Sequence, residues 1–180
     1  MNLRAKLTSA LLPLALLALA SCGTGGVPRA DALEVGEAVD FSLVINRNWM
    51  LVEVRTGAQT ITMDRENLAE LMGFDDVFTL HFEDGDHGPT VHGRIVPTVR
   101  GRAAPNIFSG SYMLGDGQGI AFGMMIATLM AALFEPEELR EHEFFAHLSN
   151  VSAWNLVGGN LELRTTDEGG AETVLIFAEG

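Results

Sequence analysis

From Phe41 to the end of the chain, short runs of β-forming residues recur between turn signals, and this pattern limits the possible folds more than any other feature. The clearest run is Val77 to Glu83. Phe78, Leu80 and Phe82 point one way and Thr79, His81 and Glu83 the other, the two-residue repeat of a half-buried strand. Further runs fall at Trp49–Arg55 and Thr60–Met63, at 91–95, 107–113 and 119–126, and then at 152–156, 161–163 and 173–177. Gly158-Gly159 and Glu168-Gly169-Gly170 supply hairpin turns. Two segments carry helical signals instead. Asp64 caps a short helix in which Leu68, Leu71 and Met72 share a face, and Gly73 ends it. The main helix is predicted to open at Pro136, a favoured first helical residue, with Glu137 and Glu138 at the positive end of its dipole, and to run to about Leu148. Phe144 and Leu148 form its buried stripe, flanked by Phe145 and Leu139. The expected fold is therefore α+β: a curved antiparallel β-sheet wrapped around one main α-helix, with a short additional helix.

The first residues belong to no such pattern. Arg4 and Lys6 form a charged leader, Leu11 to Leu19 a short apolar core, and the segment is too short for a spanning helix. Residues 1–21 read as a secretory signal. Its end, Leu19-Ala20-Ser21-Cys22, resembles the lipobox of bacterial lipoproteins, which makes Cys22, the sole cysteine, the lipidation site. Acylation with several chains gives a stable membrane anchor, where one chain gives only marginal binding. Gly23 stands where an aspartate typically marks inner-membrane retention, so the outer membrane is the expected address. Residues 22–40, small, Gly-bearing and acidic, read as a lipidated tether, and 41–180 as the folded domain.

Charge narrows the partners. Of eleven basic residues the signal takes two, leaving nine against 24 acidic ones, a formal charge of −15. Such a surface repels nucleic-acid backbones and anionic headgroups. A single cysteine leaves no disulfide framework and, once lipidated, no thiolate nucleophile.

Motif by motif, catalytic chemistry finds no footing. His142-Glu143 followed by His147 has one residue too many for the H-E-x-x-H of a zinc hydrolase: at i, i+5 the two rings diverge by about 140° around the helix, where i, i+4 separates ligands by about 40°. Glu83, Asp84, Asp86, His81, His87 and His92 around FEDGDHG are candidate metal ligands, but D-G after an alternating strand is first a turn and no EF-hand pattern is present. GSYMLGDGQG lacks the lysine of a phosphate loop, and Phe108-Ser109-Gly110-Ser111 is not a nucleophile elbow. Met124, Met125 and Met130 lie in an apolar run read as core packing. Neither metal nor cofactor is expected, and the chain is read as a non-enzyme.

The order Trp49-x-Leu51, FTLHF at 78–82, Val91-His92-Gly93, AAPNIFSGSY at 103–112, ATLMAA at 127–132, Glu141-x-x-Phe144-x-x-x-Leu148 and Leu161-x-Leu163 resembles the META domain of HslJ-like bacterial lipoproteins over about residues 46–178. The resemblance implies a curved antiparallel sheet around a helix, similar to secretin pilot proteins, in a secreted or lipid-anchored envelope protein. It also marks Asn106, Gly110, Tyr112, Thr128 and Met130 as family signature positions. Turn geometry is expected of Asn106 and Gly110, packing of Tyr112 and Met130, and a hydrogen bond of Thr128. Where the family commonly carries a cysteine pair this chain has Pro105 and Ala132, which the resemblance places side by side. PTVRGR at 97–102 departs from the family pattern as an inserted or variant stretch that lengthens the loop approaching Asn106. The implied function is a non-enzymatic, lipid-anchored envelope protein supporting stress tolerance or assembly by binding an envelope partner. The alternative is a lipid or peptide carrier, or secretin-pilot-like module, using apolar space between sheet and helix.

Overall fold

A computed structural model describes residues 40–57, 59–85, 90–91, 94–131, 135–166 and 170–180. The signal, Cys22 and the tether up to residue 39 lie outside the described residues, as do Asp86, His87, His92 and Ala132. A 3₁₀ turn, Phe41–Leu43, leads into β1 (Asn48–Thr56), β2 (Gln59–Thr62) and α1 (Arg65–Met72). There follow β3 (Thr79–Phe82), the two-residue strands β4 (Thr90–Val91) and β5 (Arg94–Ile95), β6 (Thr98–Arg102), β7 (Ile107–Leu114) and β8 (Ile120–Ala127). Helix α2 (Glu141–Ser149) then precedes β9 (Val151–Val157), β10 (Asn160–Thr166) and β11 (Glu172–Glu179).

The main sheet is antiparallel throughout, in the order β8-β7-β6-β3-β1-β11-β10-β9. β1 serves two neighbours on one side: its first residues pair with β3 and its last with β2. The two end strands, β8 and β9, meet at one corner. Gly119 bridges Ala153, the Trp154 N–H donates to Gln118 O at 2.9 Å, and Gln118 Nε2 donates to Asn155 Oδ1 at 2.9 Å. The right-handed twist of a long antiparallel sheet thus curls it into a half-barrel. Sheet dominates the architecture, with α2 and the shorter α1 as its two α-helices among the described residues.

Alternation places the core as expected. Phe78, Leu80 and Phe82 are fully buried, as are Leu51, Leu163, Leu175 and Phe177 on neighbouring strands. Phe144 and Leu148 of α2 fill the concave side, with the Phe144 ring centroid 5.2 Å from Phe78 and 6.2 Å from Phe108. Phe41 seals one end, packing edge-on to Phe82 at 5.4 Å and Trp154 at 4.7 Å. Pairs of this kind add about 0.5–1.5 kcal/mol each beyond the apolar area they bury. The β9–β10 turn is Gly158-Gly159 with φ of 60° and 87°, angles that glycine adopts without the Cβ penalty. Asp64 caps α1 by accepting the Asn67 N–H at 3.1 Å, and Gly73 ends it at φ 71°.

Three expectations need correction. The main helix begins at Glu141, not Pro136: Pro136 and Leu139 are buried in an irregular segment, and the Glu143 carboxylate accepts the Arg140 N–H at 2.8 Å, which starts the helix there. The strand expected at 91–95 is divided between β4 and β5. The variant stretch 97–102 contains β6, an interior strand between β3 and β7. Gly101 lets β6 lie there, because a Cβ on it would sit 1.9 Å from Thr79 O.

Candidate binding surface

Asn106, buried just before β7, is a junction. Its Oδ1 accepts from the Met130 N–H at 2.7 Å and from Thr128 Oγ1 at 2.8 Å, while its Nδ2 donates to Glu141 Oε2 at 2.9 Å and to Met130 O at 3.2 Å. Both ends of the amide are used, so Asn106 ties the segment after β8 to the start of α2. Tyr112, also buried, donates its hydroxyl to Glu83 O at 3.2 Å. Burial, with a smaller push from the Asp84 charge, raises its pKa to about 12.

On the outward side of the sheet runs an open groove of about 1280 Å³. Its floor crosses β1, β3, β6, β7 and β8, and Arg65, Glu66 and Ala69 of α1 stand along one wall with Asp75 and Asp76. Ile107 and Ile126 supply apolar side chains to the floor at the β8 end, 52% and 72% exposed. Three groove charges are already matched: Arg100 Nε lies 3.0 Å from Glu83 Oε1, and Asp76 Oδ1 lies 2.7 Å from Nε of Arg102, which does not line the groove. Arg65 is held by main-chain oxygens, donating to Val77 O at 2.6 Å and Asp75 O at 2.7 Å. Burial lowers its pKa, opposed by the charges of Asp75 and Asp76. Glu66 and Asp75 have no ion pair within 4.0 Å among the described residues.

Further apolar side chains outside the groove lining are exposed on β7, β8 and the segment after β8. Met113 and Leu114 of β7, Met124 of β8 and Leu129 and Met130 beyond it are all exposed, Met124 at 82%. Reading the methionine run as core packing is thereby corrected for Met124 and Met130, while Met125 is half-buried and packs on the core. The exposure of Met124 and Ile126 means that no layer covers β8 at these two outward positions. Asp116 is the one charged residue between Arg102 and Glu135, a scarcity of charge that does not by itself separate a core from an exposed apolar surface.

His142 is exposed and His147 half-buried, its pKa lowered by burial and drawn partly back by Glu143. His81 shares a 2.9 Å hydrogen bond between its Nδ1 and Asn48 Oδ1. Among the described residues, no three His, Cys, Asp or Glu converge to hold a metal.

A META domain family model matches residues 42–179. The chain belongs to the META domain family. This META domain is also similar in structure to a protein from Burkholderia xenovorans solved by NMR, at 17% identity and a TM-score of 0.53, covering 80% of this chain and 94% of that one. A crystal structure of a DUF4847 family protein from Bacteroides vulgatus ATCC 8482 aligns at 15% identity and a TM-score of 0.50, covering 77% and 95%. At those identities the likeness is one of fold. No curated protein matches the sequence.

Within the META domain, three of the five signature residues, Asn106, Gly110 and Met130, act differently from the roles expected of them. Asn106 works by cross-linking through its amide, not by turn geometry. Gly110 lies inside β7, where a Cβ would come 3.0 Å from Met125 Cγ and 3.1 Å from Met124 O; close strand approach is its reason. Met130 contributes its main chain to Asn106 and leaves its side chain exposed. Tyr112 packs in the core and Thr128 makes a hydrogen bond, as anticipated. Pro105 is buried, and its expected neighbour Ala132 lies outside the described residues.

Proposed function

We propose that this META domain protein is a non-enzymatic component of the bacterial cell envelope, anchored at the outer membrane by lipid on Cys22, that supports stress tolerance or assembly by binding another envelope component. The observation carrying the binding role is the set of exposed apolar side chains on β7 and β8, of which Ile107 and Ile126 line the groove, on a protein of formal net charge −13. Isolated surface hydrophobes are ordinary, whereas a contiguous apolar area beside a groove marks an interaction site. The alternative, carriage of a lipid or peptide between sheet and helix, loses support because Phe78, Phe108, Phe144 and Leu148 occupy that space themselves. The anchor rests on the leader, its apolar core and Leu19-Ala20-Ser21-Cys22.

The test is metabolic labelling with a fatty-acid analogue followed by membrane separation. The native chain should carry label and sediment with outer membranes, and Cys22→Ser should lose both. Label persisting on the Cys22→Ser chain would refute the anchor. In-cell photo-crosslinking from position 126 addresses the binding role, since a partner captured there and not from exposed Ser152 on β9 is the expected result.

A further inference from the structure

We infer that the groove receives an extended segment of another protein, apolar where it crosses Ile107 and Ile126 and basic where it lies over Glu66 and Asp75. The inference rests on the proposed binding role and names the partner's chemistry. Size comes first: about 1280 Å³ exceeds the roughly 300–1,000 Å³ of a typical small-molecule pocket, and the groove is open along its length. An extended chain fits such a shape, presenting alternate side chains to the floor.

Charge selects the sign. Arg100 and Arg102 are paired with Glu83 and Asp76, so they present little free charge to a ligand. Arg65 points two of its donors at main-chain carbonyls. Against that single guanidinium, whose charge already interacts with Asp75, stand the carboxylates of Glu66 and Asp75, neither within 4.0 Å of a cationic nitrogen among the described residues, on a chain of net charge −13. An incoming acidic segment meets repulsion both locally and from the whole molecule, whereas a basic one is steered in. The other end of the groove is lined from β7 and β8, which lie in the stretch between Arg102 and Glu135 whose one charged residue is Asp116, and Ile107 and Ile126 offer a basic group nothing there. The partner is therefore amphipathic along its length, with its basic residues at the α1 end.

Fluorescence anisotropy of labelled heptapeptides tests this on the full chain purified as the cell makes it, with empty neutral-lipid nanodiscs as the blank for lipid-bound material. The probes are acetyl-Leu-Ser-Leu-Ser-Leu-Arg-Arg-amide and its counterparts ending in Ser-Ser and Glu-Glu. The basic probe should bind at least tenfold tighter than the neutral one, and the acidic probe should not bind. Ile126→Glu, on a largely exposed side chain, should weaken the basic probe at least tenfold with an unchanged melting curve. Glu66→Gln with Asp75→Asn should weaken it at least fivefold. Glu137→Gln with Glu138→Gln removes the same charge from exposed positions outside the groove and should leave affinity within twofold. Equal losses from the two double variants would mean general attraction to an acidic protein, and would overturn the site. Equal binding of basic and neutral probes would overturn the charge assignment. A dimer dispersed by Ile126→Glu before any peptide is added would give the face to a second copy of this chain. None of these results depends on Cys22 labelling, so the groove and the anchor stand or fall separately.

Discussion

Asn106 and Glu141 are joined by a hydrogen bond of 2.9 Å across 35 positions of sequence, and through it the approach to β7 holds the first residue of α2. The same amide holds the main chain of Met130 from both sides, at 2.7 and 3.2 Å. One side chain thus sets how the segment leaving β8 turns toward the helix that fills the half-barrel. Glu141 Oε1 is buried and without a partner, so the carboxylate depends on the amide for its one side-chain hydrogen bond among the described residues.

Replacing Asn106 should cost more than its size implies. Asn106→Ala leaves the Met130 N–H and a Glu141 oxygen unmatched, and is expected to lower stability by about 2–4 kcal/mol in urea unfolding. Asn106→Asp keeps the shape but sets a second carboxylate against Glu141. It also replaces the donor that the Glu141 carboxylate needs with an acceptor, so it should lower the urea midpoint at neutral pH.

Tyr112 is the only tyrosine, so its ionisation can be followed directly by tyrosinate absorbance. The folded protein should titrate near the value of about 12 that burial and Asp84 impose, and the urea-unfolded chain near 10. A folded pKa above the unfolded one gives stability that is complete below about pH 10 and lost as pH rises toward the folded value. Tyr112→Phe should abolish that fall and cost about 0.5–1.5 kcal/mol near neutrality through the lost hydrogen bond to Glu83 O.

His147 carries the opposite linkage. Burial lowers its folded pKa below the ordinary value of about 6.5, so the unfolded chain takes up the proton first as pH falls. Stability should therefore decline as pH drops through about 6.5 toward the folded value, and His147→Gln should flatten that part of the profile. Urea midpoints measured across this range for the two proteins will decide.

Gly101→Ala is expected to destabilise by about 2–3 kcal/mol, because the new methyl meets the main-chain oxygen of Thr79 at 1.9 Å and no rotamer can relieve it. Gly115→Ala is the control: its nearest neighbour would be 3.6 Å away, and the melting temperature should barely move.

The regular parts of this fold are legible because they repeat locally. Phe78, Leu80 and Phe82 announce an inward face by their period alone, Asp64 and Gly73 bracket α1, and Phe144 and Leu148 mark the buried stripe of α2. β6 hides because Pro97, Arg100, Gly101 and Arg102 read as a loop. It is a strand through pairing on both sides, with β3 and with β7. Met124 and Met130 mislead for a related reason: hydropathy records that a residue is apolar, not whether a layer covers it.

By itself, then, the sequence determined the acidic charge, the strand repeats and helical faces, and the order of motifs that places the chain among META domains, since all of these are local or sequential. Tertiary structure alone decided the corner where Gly119 meets Ala153, the bond from Asn106 to Glu141, and the groove that sets Glu66 and Asp75 in line with Ile107 and Ile126. Each of these joins residues far apart along the chain. Closing such loops costs entropy that local propensity cannot offset, so the contacts exist only once the whole sheet has formed and buried its core.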